Sequence, residues 1–167
     1  MKILLIFVLL LYSMAGCGTQ VVYETIGNSC EEPQPVAQPC ELQLRLPEGT
    51  VMETMDADGS GYYTLGQWEI WTRVLPGGDL HQTLQTIAPV DPDGLTLIKR
   101  EINGYECVET TWSAAGEEGE SVVRAGVIQD GGYHYCICLC VPQSDAREAE
   151  ELFGQIFRTA VLTDTGS

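Results

Sequence analysis

The run Tyr133-His134-Tyr135-Cys136-Ile137-Cys138-Leu139-Cys140-Val141 alternates without a break. As a strand it places His134, Cys136, Cys138 and Cys140 on one face and Tyr135, Ile137, Leu139 and Val141 on the other, because successive side chains point to opposite sides. Period-2 stretches recur from residue 41 onward. Leu42, Leu44 and Leu46 alternate with Gln43 and Arg45 as far as Pro47-Glu48-Gly49. Residues 51–55, 62–65, 67–75, 95–100, 105–112 and 121–128 carry the same signature, rich in β-branched and aromatic side chains. Asn103-Gly104 and Asp130-Gly131 fall where tight hairpins need φ > 0. Residues 113–120, acidic and glycine-containing, read as a mobile exposed loop.

Two segments break the alternation. After Pro76-Gly77-Gly78, Asp79 can cap a short helix that runs to about Ile87 and stops before Pro89, with Leu80, Leu84 and Ile87 on one side and His81 a surface residue near it. Near the end, Asp145 and Glu148 have capping-box spacing, and Ala149, Leu152, Phe153, Ile156, Phe157 and Ala160 follow a helical stripe. The expected fold class is therefore α+β: an antiparallel β-sheet covered by a short middle helix and a long C-terminal helix. The expected domain spans 41–163, with 164–167 as a C-terminal tail.

The first residues follow another logic. One lysine, Lys2, precedes the apolar run 3–12, which is too short to span a bilayer and ends in Met14-Ala15-Gly16-Cys17. This spacing resembles the lipobox of bacterial lipoproteins, with Met14 where leucine is usual. The resemblance implies that residues 1–16 are a signal peptide and that Cys17 becomes the lipidated first residue, anchoring the protein to the membrane of the cell envelope on its extracytoplasmic side. Residues 17–40, with Glu31-Glu32-Pro33-Gln34-Pro35 and Pro39, then read as a tether. About 22 residues of such chain span about 25–30 Å or more.

Charge narrows the partners. Against 24 Asp+Glu stand eight Lys+Arg, giving a formal net charge of −16. Such a surface repels nucleic acid and anionic headgroups alike, so neither is an expected partner and the lipid must supply the membrane grip. The start Leu44-Arg45-Leu46-Pro47-Glu48-Gly49, the middle helix, the strand with Asn103-Gly104-Tyr105 and the closing helix with Phe157 resemble the PsbP-like fold, including small lipoproteins of the DcrB type. That resemblance implies a binding or assembly accessory and brings no shared catalytic residues.

The cysteines offer the most chemistry. Setting Cys17 aside leaves Cys30, Cys40, Cys107, Cys136, Cys138 and Cys140, an even set compatible with disulfides outside the cytosol. Cys30 and Cys40 could close a loop at the domain entrance, and Cys107 could bridge to one of the three on the 133–141 run if their Cα atoms approach about 5.5 Å. Reduced packing is the alternative, with metal or redox chemistry a third. Zinc cannot take the full stripe: its ligand sulfurs sit within about 4 Å of each other, whereas strand positions i and i+4 are about 13 Å apart.

Asp56, Asp58, Ser60 and Gly61 match the first half of a calcium loop, but Gln67 stands where the bidentate glutamate belongs, so a hairpin turn is the better reading and no cofactor other than this calcium candidate is expected. Trp68, Trp71 and Trp112 are candidates for an exposed glycan or peptide platform. No nucleophile elbow, phosphate loop or histidine–carboxylate metal pattern occurs in the sequence. The expectation is a non-enzymatic envelope lipoprotein that meets an envelope protein or ligand. A thiol-disulfide or metal-handling protein and a structural envelope component are the alternatives.

Overall fold

The computed structural model describes residues 38–116 and 119–164. Seven strands form one antiparallel sheet: β2 (Val51–Met55), β3 (Gly61–Leu65), β4 (Trp68–Pro76), β5 (Ile98–Ile102), β6 (Tyr105–Gly116), β7 (Gly119–Gln129) and β8 (Tyr133–Pro142). Their spatial order is β2-β3-β4-β8-β7-β6-β5, so two hairpin ladders, β2-β3-β4 and β5-β6-β7-β8, join where β8 pairs with β4. Between them α1 (Leu80–Ile87) crosses over, and α2 (Ala146–Arg158) follows β8. A separate two-stranded ladder pairs β1 (Glu41–Gln43) with β9 (Val161–Thr163).

The two helices cover opposite faces of the sheet. Ala149, Phe153, Ile156 and Phe157 of α2 pack with Ile70, Val122, Ile128, Tyr135, Ile137, Leu139 and Val141. The stacked rings of Phe153 and Phe157, with centroids 5.4 Å apart, run along this contact. Each such fully buried side chain contributes about 1.5–3 kcal/mol. Leu84 and Ile87 of α1 pack on the other face with Val123, Ala125, Val127, Cys136, Cys138 and Trp112. The central strand β8 is consequently covered on both sides, which is why its alternation pairs large apolar residues with cysteines and not with charges.

Most element expectations hold, and four need correction. The first strand is shorter than residues 42–46 and lies outside the main sheet; Leu44 and Leu46 instead pack against the α2-face cluster. Its partner β9, just past α2, was not anticipated. Residues 113–116 and 119–120 are strand and not loop: β6 and β7 stay paired to Gly116↔Gly119. Asp145 precedes α2 but makes no capping hydrogen bond, because its carboxylate accepts from Trp68 Nε1 at 2.7 Å and Gln67 Nε2 at 2.9 Å. Those bonds and that from Ser144, the largest influence, hold the Asp145 carboxyl below its ordinary range. Among the turns, Asn103 adopts φ 53° and Gly104 φ 85°, as the hairpin geometry requires. At the other hairpin only Gly131 is left-handed, while Asp130 uses Oδ1 to accept from the backbone of Gly132 and Tyr133.

Candidate functional site

The cysteine stripe lies on the α1 face of β8. Cys136 is flanked by Arg73 of β4 and Val127 of β7, Cys138 by Trp71 and Ala125, and Cys140 by Glu69 and Val123. Cys136 and Cys138 are each 1% exposed. Burial pushes the Cys136 thiol up to about 12, against a small opposing pull from Arg73, and drives Cys138 higher still. Half-buried Cys140 is also raised, by burial and then by the Glu69 carboxylate. The thiolate is the nucleophile and the metal ligand, so thiols held protonated in an apolar layer act as small packing groups.

The remaining cysteines are spread through the fold. Cys107 lies on β6, which β7 separates from β8, and it packs in the cluster on the opposite face of the sheet. Two strand spacings amount to roughly 9.6 Å, beyond the Cα separation a disulfide allows, so the expected bridge from Cys107 to the β8 stripe is ruled out by topology. Burial raises the Cys107 thiol to about 11. Half-buried Cys40 donates its thiol to Asp164 Oδ1 at 3.4 Å. All five described cysteines are free; Cys17 and Cys30, with the expected signal peptide and most of the expected tether, lie outside the described residues. Among the described residues no group of three or more His, Cys, Asp or Glu side chains is placed to hold a metal ion.

Two polar nodes went unread in the sequence. His134, 3% exposed, lies beneath α1 with Nδ1 2.6 Å from Thr83 Oγ1. Burial lowers its pKa from 6.5, opposed by the Asp130 carboxylate. Tyr135, fully buried, donates its hydroxyl to Asp130 Oδ2 at 2.9 Å and accepts the Cys40 N–H at 2.7 Å, fastening the start of the domain to the sheet. Only the position of Asp130 in a hairpin was a signal for this node; the return of residue 40 to it is a tertiary event.

The expected calcium loop is the β2–β3 hairpin turn. Asp58 Oδ1 accepts the Ser60 N–H at 2.8 Å, the Asp56 N–H donates to Ser60 O at 2.7 Å, and Ser60 Oγ accepts the Val74 N–H at 3.2 Å. The first two bonds are those of an Asx-type turn closing on itself, and the third ties the turn to β4. The tryptophans do not assemble. Trp68 joins the α2-face cluster, Trp112 is 6% exposed beneath the α1 side, and Trp71 is half-buried on that same side. Trp71 does have an aromatic neighbour, its register partner Tyr62 on β3. A cleft of about 240 Å³ opens beside this pair, walled by Thr54, Asp56, Ser60 and Arg73 as well.

No protein-family model matches the chain. No curated protein sequence matches it. Among solved structures it is similar to the cyanobacterial PsbP protein CyanoP from Synechocystis, with TM-score 0.53, 12% identity and coverage of 81% of this chain and 98% of that one. It is also similar to LpqN of Mycobacterium tuberculosis, a protein involved in cell envelope biogenesis, with TM-score 0.51, 12% identity and coverage of 79% and 87%. A Bacteroides thetaiotaomicron protein matches with TM-score 0.53 and 15% identity over 75% of this chain, which spans only 46% of that protein. At such identities the likeness is one of fold, and the fold is of the PsbP-like kind that the order of elements resembled.

Proposed function

We propose that this chain is a lipid-anchored protein of the cell envelope whose acidic α+β domain binds or helps to assemble other envelope components without catalysing a reaction. The observation that carries the non-enzymatic part is the closed cysteine face: Cys136 and Cys138 are buried and held protonated. His134, the one imidazole beside them, is buried against Thr83. The burial of these two thiols counts against the thiol-disulfide alternative, which would have to rest on half-buried Cys140 or Cys40. The involvement of LpqN in envelope biogenesis, on a shared fold, supports the envelope setting, as does the Met14-Ala15-Gly16-Cys17 signal.

The test has two arms. Full-length protein expressed in bacteria is expected in the membrane fraction with a diacylglyceryl mass on Cys17, and Cys17→Ser or globomycin should abolish that mass. A wild-type protein that carries no lipid sinks the anchor. Purified protein is expected to show no turnover in dithiol-driven insulin reduction; sustained turnover lost on Cys136→Ser or Cys140→Ser would restore the thiol-disulfide reading.

A further inference from the structure

We propose that the open surface formed by Tyr62, Trp71, Arg73 and Asp56 is a binding site for a neutral sugar ring of a glycan. Packing supplies the first reason. The row Thr54–Tyr62–Trp71–Cys138 crosses β2, β3, β4 and β8 on one face of the sheet. Leu84 and Ile87 of α1 close the Cys138 end. The other end stays open, with Thr54 and Arg73 exposed and Tyr62 and Trp71 half-exposed. Two large rings are thus presented side by side on a rigid three-stranded ladder, where their orientation is fixed before any ligand arrives.

Lining chemistry supplies the second. The walls of the 240 Å³ cleft hold no Leu, Ile, Val or Met side chain; beyond the two rings they offer hydroxyls, one carboxylate and one guanidinium. An aliphatic ligand or a peptide with apolar anchors would meet only the two ring faces there, with polar groups around them. A sugar ring has the complementary make-up: a face of C–H groups to lie on an aromatic ring, and an equatorial rim of hydroxyls that donate and accept.

Charge supplies the third. On a protein of net charge −16 most of the surface repels anions and attracts cations. In this cleft Arg73 and Asp56 both line the wall, and neither makes an ion pair among the described residues. The Glu69 and Glu53 carboxylates also lie close to Tyr62; these acids turn away an anion while Arg73 opposes a cation, which leaves a neutral polyol as the fitting ligand. Arg73 supplies up to five donors and Asp56 acceptors only, the two halves of hydroxyl recognition. The site is independent of the lipid anchor and of any accessory role, so losing either leaves it intact.

The experiment titrates the full-length protein, in a detergent without a sugar headgroup, with cellohexaose, mannohexaose and N-acetylchitohexaose. Tryptophan fluorescence and saturation-transfer NMR report binding. At least one oligosaccharide is expected to bind below about 10 mM, with Trp71→Ala and Tyr62→Ala each weakening it about tenfold or more. Arg73→Gln should weaken it several-fold, and Trp68→Phe, on the other face, should leave it unchanged. Because Trp71 also packs against the α1-side cluster, Tyr62→Ala is the decisive variant if Trp71→Ala fails to fold. No binding by any of the three sugars, or binding that survives Tyr62→Ala at full affinity, overturns the proposal.

Discussion

Gly126 shows how narrowly one residue can fix the packing of a whole layer. It lies on the α2 face of β7, and a Cβ built there would come within 2.5 Å of Phe157 Cζ, well inside van der Waals contact. Gly126→Ala should therefore displace the Phe157 ring and cost about 1–3 kcal/mol or more, seen as a lower Tm with no change in secondary structure. His134 is the corresponding polar position. Its folded pKa lies below 6.5, so on acidification the unfolded chain takes up the proton first. The stabilisation from keeping it neutral is complete above the unfolded pKa and is lost as pH falls toward the folded one. Between about pH 7.5 and about pH 5.5 the urea midpoint should fall, and His134→Gln should flatten that fall. Equal slopes in wild type and His134→Gln would remove the linkage.

At the scale of elements, the β6–β7 hairpin separates what sequence can say from what it cannot. The strands were legible because residues 105–112 and 121–128 are rich in β-branched and aromatic side chains, with Val108, Trp112, Val122, Val123 and Val127 among them. The extension through residues 113–116 and 119–121 was not, since Ser113, Ala114, Ala115 and Glu120 have weak strand propensity. Register with the long central part carries them: Ser113 faces Val122 and Ala115 faces Glu120. Hydrogen exchange should show inward-bonded amides in residues 113–115 protected well above random-coil rates; coil-like exchange throughout that stretch would contradict the ladder. The same limit explains the other misses. The Asp145 and Glu148 spacing is a true capping pattern, yet Trp68 and Gln67 claim the Asp145 carboxylate from another element. Likewise Cys107 and the β8 stripe both lie on strands as expected, but nothing local reveals that β7 comes between them or that they face opposite ways. Trp71 was legible as an aromatic on a strand, whereas Tyr62 became its partner only through β3–β4 register.

At the scale of the molecule, charge and sheet edges oppose one another. Among the described residues the sheet ends in two open edges, β2 and β5. Lys99 and Arg100 guard β5, the latter paired with Glu109. The β2 edge is less protected: all five residues are exposed, and Val51, Met52 and Met55 are 55%, 59% and 48% exposed. Its defences are a register irregularity between Met52 and Thr54, and Glu53. An apolar edge of this kind can pair with the same edge of a second copy, and at neutral pH the net charge of −16 resists that approach. Near the pI of about 4.2 the repulsion vanishes while the edge remains. Light scattering should then rise as pH falls toward the pI, and also at neutral pH in about 1 M salt, where the Debye length shrinks to about 3 Å. Met52→Lys places a charge on the edge itself and should suppress association far more than Thr96→Lys, which adds the same charge at an exposed position outside the edge strands. Equal suppression by both would mean that net charge alone governs association and that β2 takes no part in it.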